Sequence, residues 1–411
     1  MLRSCLFTAL VPIALGSCAT PSPAEEAGLG ASSIIVEDGS IDPVVHLQVI
    51  ADAAMEGRGT PSPGLQRAAD YVVTECRKAG VVGAMSDGGF FQPFTIGGFP
   101  VASIVAPEPD TVEFGSDLFE EGVFLSGRTS TETRKEMGKQ LCQAMTAAGD
   151  VCPPGIMDGT VDPRPFVQAI AAAQQTNNVV GLLPGSGPHK DEIVLLSAHL
   201  DHLGKTSQGV FPGVDDNGSG SSTLVALMHR LSQAARMKPL DRTIAFFWTA
   251  GEEKGLLGAS YFVDNAPSSI PLARVKQVIN MDMVGGWDDT RFSIGVDAAP
   301  NSQVSARLFD AANAELDRPF ARINRDVQSY NRRQDGYAFS RRNIATIFVF
   351  EGLANPAGGG GLMPRYHKTT DTVESLLAES GGSKIRRMAD VLDRFITKVA
   401  DAELAAAPVA K

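Results

Sequence analysis

At 411 residues the chain exceeds the usual length of one domain, although a large α/β domain carrying an insertion would account for it. Its make-up, 43% hydrophobic and 20% charged, is that of a globular protein with an ample core. A formal net charge of −11, with no basic cluster, argues against a nucleic-acid partner.

In chain order, Arg3 precedes an apolar run at 6–15 that ends in Leu15-Gly16-Ser17-Cys18. The run is too short for a membrane span and reads as a secretory signal, so the protein is expected to be exported. The ending resembles the lipobox of bacterial lipoproteins. That resemblance implies a lipid anchor on Cys18 as the sole membrane contact and, with Ala19 next, an outer-membrane protein facing the periplasm. Ordinary cleavage just past Ala19 is the alternative and would give a periplasmic or secreted protein. Export permits disulfides: Cys142 and Cys152 bracket a short loop and form a reasonable bridge, whereas Cys76 lies on the apolar side of a helix and reads as a buried free thiol.

Residues 19–40, rich in Pro, Ala, Glu, Gly and Ser, read as a tether. A helix begins at Asp42 and carries His46, Val49 and Ile50. After the turn Gly57-Arg58-Gly59-Thr60-Pro61, a second helix runs from about 64 to 79 and stops at Gly80. Extended segments follow to about 105. Residues 107–176 change in texture, with charged helical stretches and a Pro-Pro pair, and are read as an insertion or cap between 41–106 and the main body at 177–404. A strand and turn resume at 178–186.

The next stretch organises the chain. Ile193, Val194, Leu195 and Leu196 form a short apolar run of the kind a buried parallel strand shows. From Ser219 the pattern turns helical, with Leu224, Leu227, Met228 and Leu231 on one face. Between them stand His199, Asp201, His202, Asp215 and Asp216, where open α/β sheets bind their ligands. Strands recur at 243–249, 277–282 and 344–350, with helical patterns at 255–263 and 304–314. A last helix aligns Ile385, Met388, Leu392, Phe395 and Val399. This alternation predicts an α/β fold with a mixed, largely parallel central sheet and helices on both faces.

Chemistry-bearing residues recur where these strands end: His199 with Asp201, Asp215-Asp216-Asn217, Glu252-Glu253, and Asp282, with His367 in a late loop. Two histidines and several carboxylates without cysteine suit zinc in a catalytic site. Taken alone, the Asp-Asp-Asn-Gly run is a turn with a helix cap. A glutamate pair is usually a solvated surface, but this one directly follows an apolar strand. His202 reads as a pocket wall, and His46, His189 and His229 as structural or exposed.

The motifs HLD, GVDDNGSG, GEEKGLLGAS, NMDMVG and YHKTTDT, in that order, resemble the co-catalytic dizinc aminopeptidases, a family that also holds glutamate carboxypeptidases and transferrin-receptor-like proteins. MEGRGTPSPGLQRAADYV resembles its opening helices, so 41–106 and 177–404 would be the catalytic domain. The resemblance implies two Zn2+ per chain. Asp216 would bridge them, His199 and Asp282 completing one metal and Glu253 and His367 the other. Glu252 would be the general base of a dizinc-bound hydroxide. Asp201 would orient His199, Asp371 would do the same for His367, and Tyr366 would support the oxyanion. The implied protein is an exported zinc aminopeptidase acting on peptide substrates. The alternatives are a carboxypeptidase or dipeptidase, a glutaminyl-cyclase-like transferase, and a receptor-like protein without catalysis. Two departures bear on substrate preference. Many relatives carry Arg-Ser-Asp-His where this chain reads Arg333-Gln334-Asp335-Gly336, and a Gly-rich loop at 357–361 precedes His367.

Overall fold

The computed structural model describes residues 39–98, 135, 138–139, 142, 155, 157–160, 172–286, 291–325, 327, 330–350 and 363–404. The signal, the tether as far as residue 38, most of the expected insertion, Cys152 and the Gly-rich loop lie outside them. Cys142 is disulfide-bonded and Cys76 is a buried free thiol.

Helix α1 (Pro43–Ile50) starts where Asp42 accepts the Val44 N–H at 3.0 Å, with proline preset for the first turn. Helix α2 (Pro63–Ala79) is capped by Ser62 and stops at Gly80, whose φ of 79° is the left-handed value that suits glycine. Eleven strands follow among the described residues. These are β1 (Val82–Gly83), β2 (Phe91–Gly98), β3 (Ala172–Leu183), β4 (Ile193–His199), β5 (Gly204–Thr206), β6 (Gly209–Phe211), β7 (Thr243–Thr249), β8 (Val275–Asp282), β9 (Arg291–Val296), β10 (Arg322–Asn324) and β11 (Thr346–Phe350). The later helices are α3 (Gly220–Met237), α4 (Leu257–Asp264), α5 (Pro300–Ala314), α6 (Gly336–Ser340), α7 (Val373–Ser380) and α8 (Ser383–Asp401).

Nine strands form one sheet in the order β1-β3-β7-β4-β8-β11-β9-β10, with β2 on β3, while β5 and β6 make a separate hairpin. The centre, β7-β4-β8-β11, is parallel. Strand period divides its side chains between two cores. Val194, Leu196 and Ala198 of β4 and Phe246 and Trp248 of β7 join α2, α3 and α8 on one face. Leu195 and Phe247 meet Phe262 of α4 and Phe339 of α6 on the other. Burial on both faces is why these strands read as unbroken apolar runs rather than alternating ones.

The expected fold class is therefore present, and the differences have physical causes. Strand β3 begins at 172, six residues before the expected start, because it pairs with β2 in register from Gly98↔Ala172 to Phe91↔Val179. Its first half is polar (Gln174, Gln175, Asn177) and carries no periodic signal. The β5–β6 hairpin, β9, β10, α6 and α7 are too short to show a period.

The structure also buries Arg58 completely. Its guanidinium donates to the carbonyls of Leu200 (2.7 Å), Ile50 (3.0 Å), Pro212 (2.8 Å) and Gly213 (2.7 Å), tying α1 to the loops after β4 and β6. Arg58→Met would take a donor from four carbonyls, of which that of Gly213 still accepts the Gly218 N–H at 3.0 Å, and each buried acceptor left unpaired is costly. The expected loss is about 3 kcal/mol or more in urea unfolding, against little change for the exposed Arg325→Met. Equal effects of the two would show that Arg58 does not brace the fold.

Candidate metal centre

The side chains singled out by sequence converge at the carboxyl end of the parallel strands. His199 closes β4, Asp282 closes β8, and Glu252 and Glu253 follow β7. Asp216 comes from the loop before α3, and His367 from the segment before α7.

Asp216 lies between the two histidines. Its Oδ1 is 3.3 Å from His199 Nε2, and its Oδ2 is 2.9 Å from His367 Nε2. Asp282 Oδ1 stands 3.3 Å from the same His199 nitrogen, and Glu253 Oε2 stands 3.4 Å from the same His367 nitrogen. Two groups of ligand atoms thus share one carboxylate: His199, Asp216 and Asp282 on one side, and Asp216, Glu253 and His367 with His202 on the other.

The residues fit bound cations on their own chemistry. His199 Nδ1–H donates to the Asp201 carbonyl at 3.1 Å, so Nε2, which faces the Asp216 and Asp282 carboxylates, is the nitrogen left to take a cation. His367 Nε2 is buried and makes no hydrogen bond, although two carboxylates face it. Three buried carboxylates and Glu252 meet in one cleft, an arrangement that calls for positive charge.

The charges follow from these contacts. Burial would raise Asp216, but His199 and His367 hold it well below the carboxylate range. Burial likewise opposes ionisation of Glu253, yet His367 and His202 bring it down to about 2. Burial and the neighbouring carboxylates of Glu253, Asp282 and Asp335 push Glu252 well above the usual glutamate value, although His199 opposes them. The adjacent glutamates therefore differ in kind, one held ionised and the other driven toward its neutral form.

Several residues stand otherwise than sequence reading placed them. Asp201 reaches His199 through its backbone carbonyl. Its carboxylate is 3.9 Å from the ring and instead accepts the Glu252 N–H at 3.1 Å. Asp371 makes no hydrogen bond to His367. Its Oδ2 accepts the N–H groups of Asp215 (2.9 Å) and Asp216 (3.4 Å), so it holds the loop rather than the imidazole. His202 belongs to the cluster, its Nδ1–H donating to Glu253 Oε1 at 2.8 Å. The clue was the HLDH run itself, which cannot say which way a second histidine turns. Tyr366 lines the cleft, its ring stacked on His367 with centroids 3.8 Å apart.

The neighbours of Asp216 brace the loop, and Asn217 caps the helix as the sequence suggests. Asp215 Oδ1 accepts the N–H groups of Gly285 and Gly286 at 2.8 and 3.0 Å. Asn217 accepts from Gly220 and Met283 and donates to the Met281 carbonyl. Away from the cleft, His46 bonds Tyr71 and Ser40 while Glu75 bonds His229 and Lys78, a self-satisfied network in keeping with a structural role. His189 pairs with Asp241.

Comparison with known proteins agrees with this geometry. The model of "Peptidase family M28" matches residues 178–392, just over half of the chain. Leucine aminopeptidase 2 of Trichophyton equinum is 28% identical over 238 residues, 54% of this chain and 45% of that protein, so the chain spans less than half the length of such relatives. Among solved structures, a zinc aminopeptidase from Bacillus subtilis superposes with TM-score 0.57 at 17% identity, covering 89% of this chain and 95% of that one. A glutaminyl cyclase from Porphyromonas gingivalis gives 0.52 at 13% identity, covering 87% and 98%. At such identities these likenesses are of fold alone.

The buried charges make the metal-free protein sensitive to pH. Despite burial, Glu253 and Asp216 raise His367 from 6.5 to about 10, so its contribution is full below about 6.5 and fades as pH climbs through about 10. Asp335 and Asp371, raised by burial to about 7 and about 8, act in the same direction, each costing stability as rising pH ionises it in the unfolded chain. The melting temperature of chelator-treated protein should therefore fall between pH ~6.5 and ~10, and zinc should flatten the profile by displacing the proton from His367. Thermal melts across this range with and without zinc check it. A flat metal-free profile would contradict the assignment.

Proposed function

The chain belongs to peptidase family M28, and from that premise we propose that it is a zinc-dependent aminopeptidase acting on peptide substrates, with two Zn2+ per chain. The observation that carries this reading is the Asp216 carboxylate, presented by one oxygen to each of two ligand groups. Relatives and structural neighbours named as aminopeptidases support release of residues from the amino end.

His199, Asp216 and Asp282 would hold one ion, and Asp216, Glu253 and His367 the other. When bound, such a pair supplies Lewis acidity toward a scissile carbonyl and acidifies a water beside it. The remaining work falls to the chain. Glu252, its backbone pinned by Asp201 and its carboxyl beside His199, takes the proton of the attacking water and passes it to the leaving amine. Glu253 cannot share that task, because His202 and His367 draw its two oxygens away. Burial and the facing carboxylates raise Tyr366 well above the ordinary tyrosine value, so its hydroxyl stays a donor for developing negative charge. The pattern of residues 1–18 supports export with a lipid on Cys18, and the domain scheme of 41–106 and 177–404 around a cap at 107–176 completes the proposal. Among the described residues no helix is long and apolar enough to cross a membrane.

Glu252→Ala should retain both zinc ions by elemental analysis and lose roughly 10²–10⁴-fold in turnover. A digest of free and acetylated peptides read by mass defines the direction. Loss from free amino ends only supports the aminopeptidase. Loss from the other end reassigns it as a carboxypeptidase, and pyroglutamate products as a cyclase.

A further inference from the structure

The cleft over the ligands holds one feature that metal chemistry does not require. Arg333 lines it together with Glu252, Glu253, Asp282, Tyr330 and Tyr366. The side chain is solvent-exposed, so it stands at the mouth rather than in the core. It is nevertheless positioned: its guanidinium lies 5.8 Å from the centre of the Tyr330 ring, and Nη2 donates to Tyr366 Oη at 3.4 Å. No carboxylate among the described residues pairs with it. The Tyr366 ring in turn lies on His367, so the guanidinium sits one side chain away from the reacting centre.

Charge makes this arrangement selective. The three ligand carboxylates and Glu252 balance two dications, and the ligand imidazoles are neutral when they coordinate. Arg333 is then the uncompensated charge among the residues lining the cleft. A guanidinium offers two parallel donors matched to a carboxylate, and such charge-assisted pairs are strong when partly shielded from water. The wall beside it is aromatic. Phe348 and Phe350 stack at 5.0 Å and Tyr330 packs on Phe350 at 5.4 Å, a surface for the aliphatic part of a residue whose end is charged.

Resting on the peptidase reading, we infer that Arg333 forms a carboxylate-binding subsite, so that preferred substrates carry a carboxylate within about one residue of the scissile bond. Two sources supply that group: an acidic side chain on the released residue, or the terminal carboxylate of a dipeptide. Arg333 is a specificity residue and takes no part in the proton transfers.

The test assays the full chain, loaded with zinc, on two matched pairs. Glu-Ala-amide against Gln-Ala-amide varies the side chain, and Leu-Ala against Leu-Ala-amide varies the terminus. The expected result is a kcat/KM preference of about ten-fold or more for the charged member of one pair. That ratio should collapse toward one in Arg333→Gln and recover in part in Arg333→Lys. The pair that shows it identifies the source of the carboxylate. Ratios near one in both pairs, or a preference that survives Arg333→Gln, overturn the subsite while leaving the peptidase standing. If no peptide is cleaved, the peptidase reading falls instead. Calorimetric titration of glutamate against glutamine, and of Leu-Ala against its amide, into zinc-loaded Glu252→Ala protein then reads the same ratios without turnover, and equal affinities within each pair would reject Arg333.

Discussion

The site depends on keeping one carboxylate, that of Asp216, ionised and buried between two imidazoles. A charge withdrawn from water is tolerable only when it is paired at close range and its remaining lone pairs are engaged. Here each oxygen has its own partner, His199 on one side and His367 on the other, and those partners outweigh burial. The pairing is geometric before it is electrostatic. Moving the loop by an ångström would unbalance both halves at once, because the two ligand groups share this single side chain.

The loop is accordingly held by polar groups that never face the cleft. Asp215 reaches across to Gly285 and Gly286, Asn217 to Met281 and Met283, and the Ser219 hydroxyl accepts the Val284 N–H. These bonds lash the loop to the residues around and after the end of β8, so Asp216 and Asp282 are placed by one network. Asp371 secures the same loop from the far end of the chain, and Arg58 secures it from the near end by binding the Pro212 and Gly213 carbonyls. Gly213 shows how tight this is: its φ is 55°, and a Cβ there would meet the Asp216 carbonyl at 2.3 Å and the His202 ring at 2.4 Å. Buried polar networks of this kind are high-stakes, since an unpaired member is worse than an apolar one.

This division explains what the sequence could and could not reveal. The parallel strands were legible because burial on both faces leaves uninterrupted apolar letters, and ligands at their ends stand in short motifs. His199, Asp216, Glu252, Glu253, Asp282 and His367 all announced themselves by residue type at a strand end or in a loop. The braces did not. Three of the four carbonyls that Arg58 binds lie 142 to 155 residues away, and backbone acceptors have no letter. Asp371, which the resemblance assigns to His367, is turned by the chain so that its carboxylate meets the Asp215 and Asp216 amides. His202 reads as a wall because a second histidine directly after Asp201 gives no hint of which ring nitrogen finds Glu253. The first half of β3 stayed hidden because its strand character comes from pairing with β2 rather than from any apolar period.

Selection is carried by a different part of the molecule. The segment from Tyr330 to Gly336 supplies no ligand, yet it brings Arg333 to the cleft and buries Asp335, whose carboxyl accepts the Thr249 hydroxyl at the end of β7. Gly336 is packed tightly in the same segment, since a Cβ at that position would meet Thr346 Cγ2 at 2.5 Å and Gln334 Oε1 at 2.6 Å. A guanidinium at the mouth of the cleft and a buried carboxyl that fixes the turn behind it are thus features of one short segment. The metal-binding loop is over-determined and cannot be varied cheaply. A segment that only lines the mouth is free of that constraint, and it is the place where this fold can change what it admits without disturbing how the substrate is cleaved.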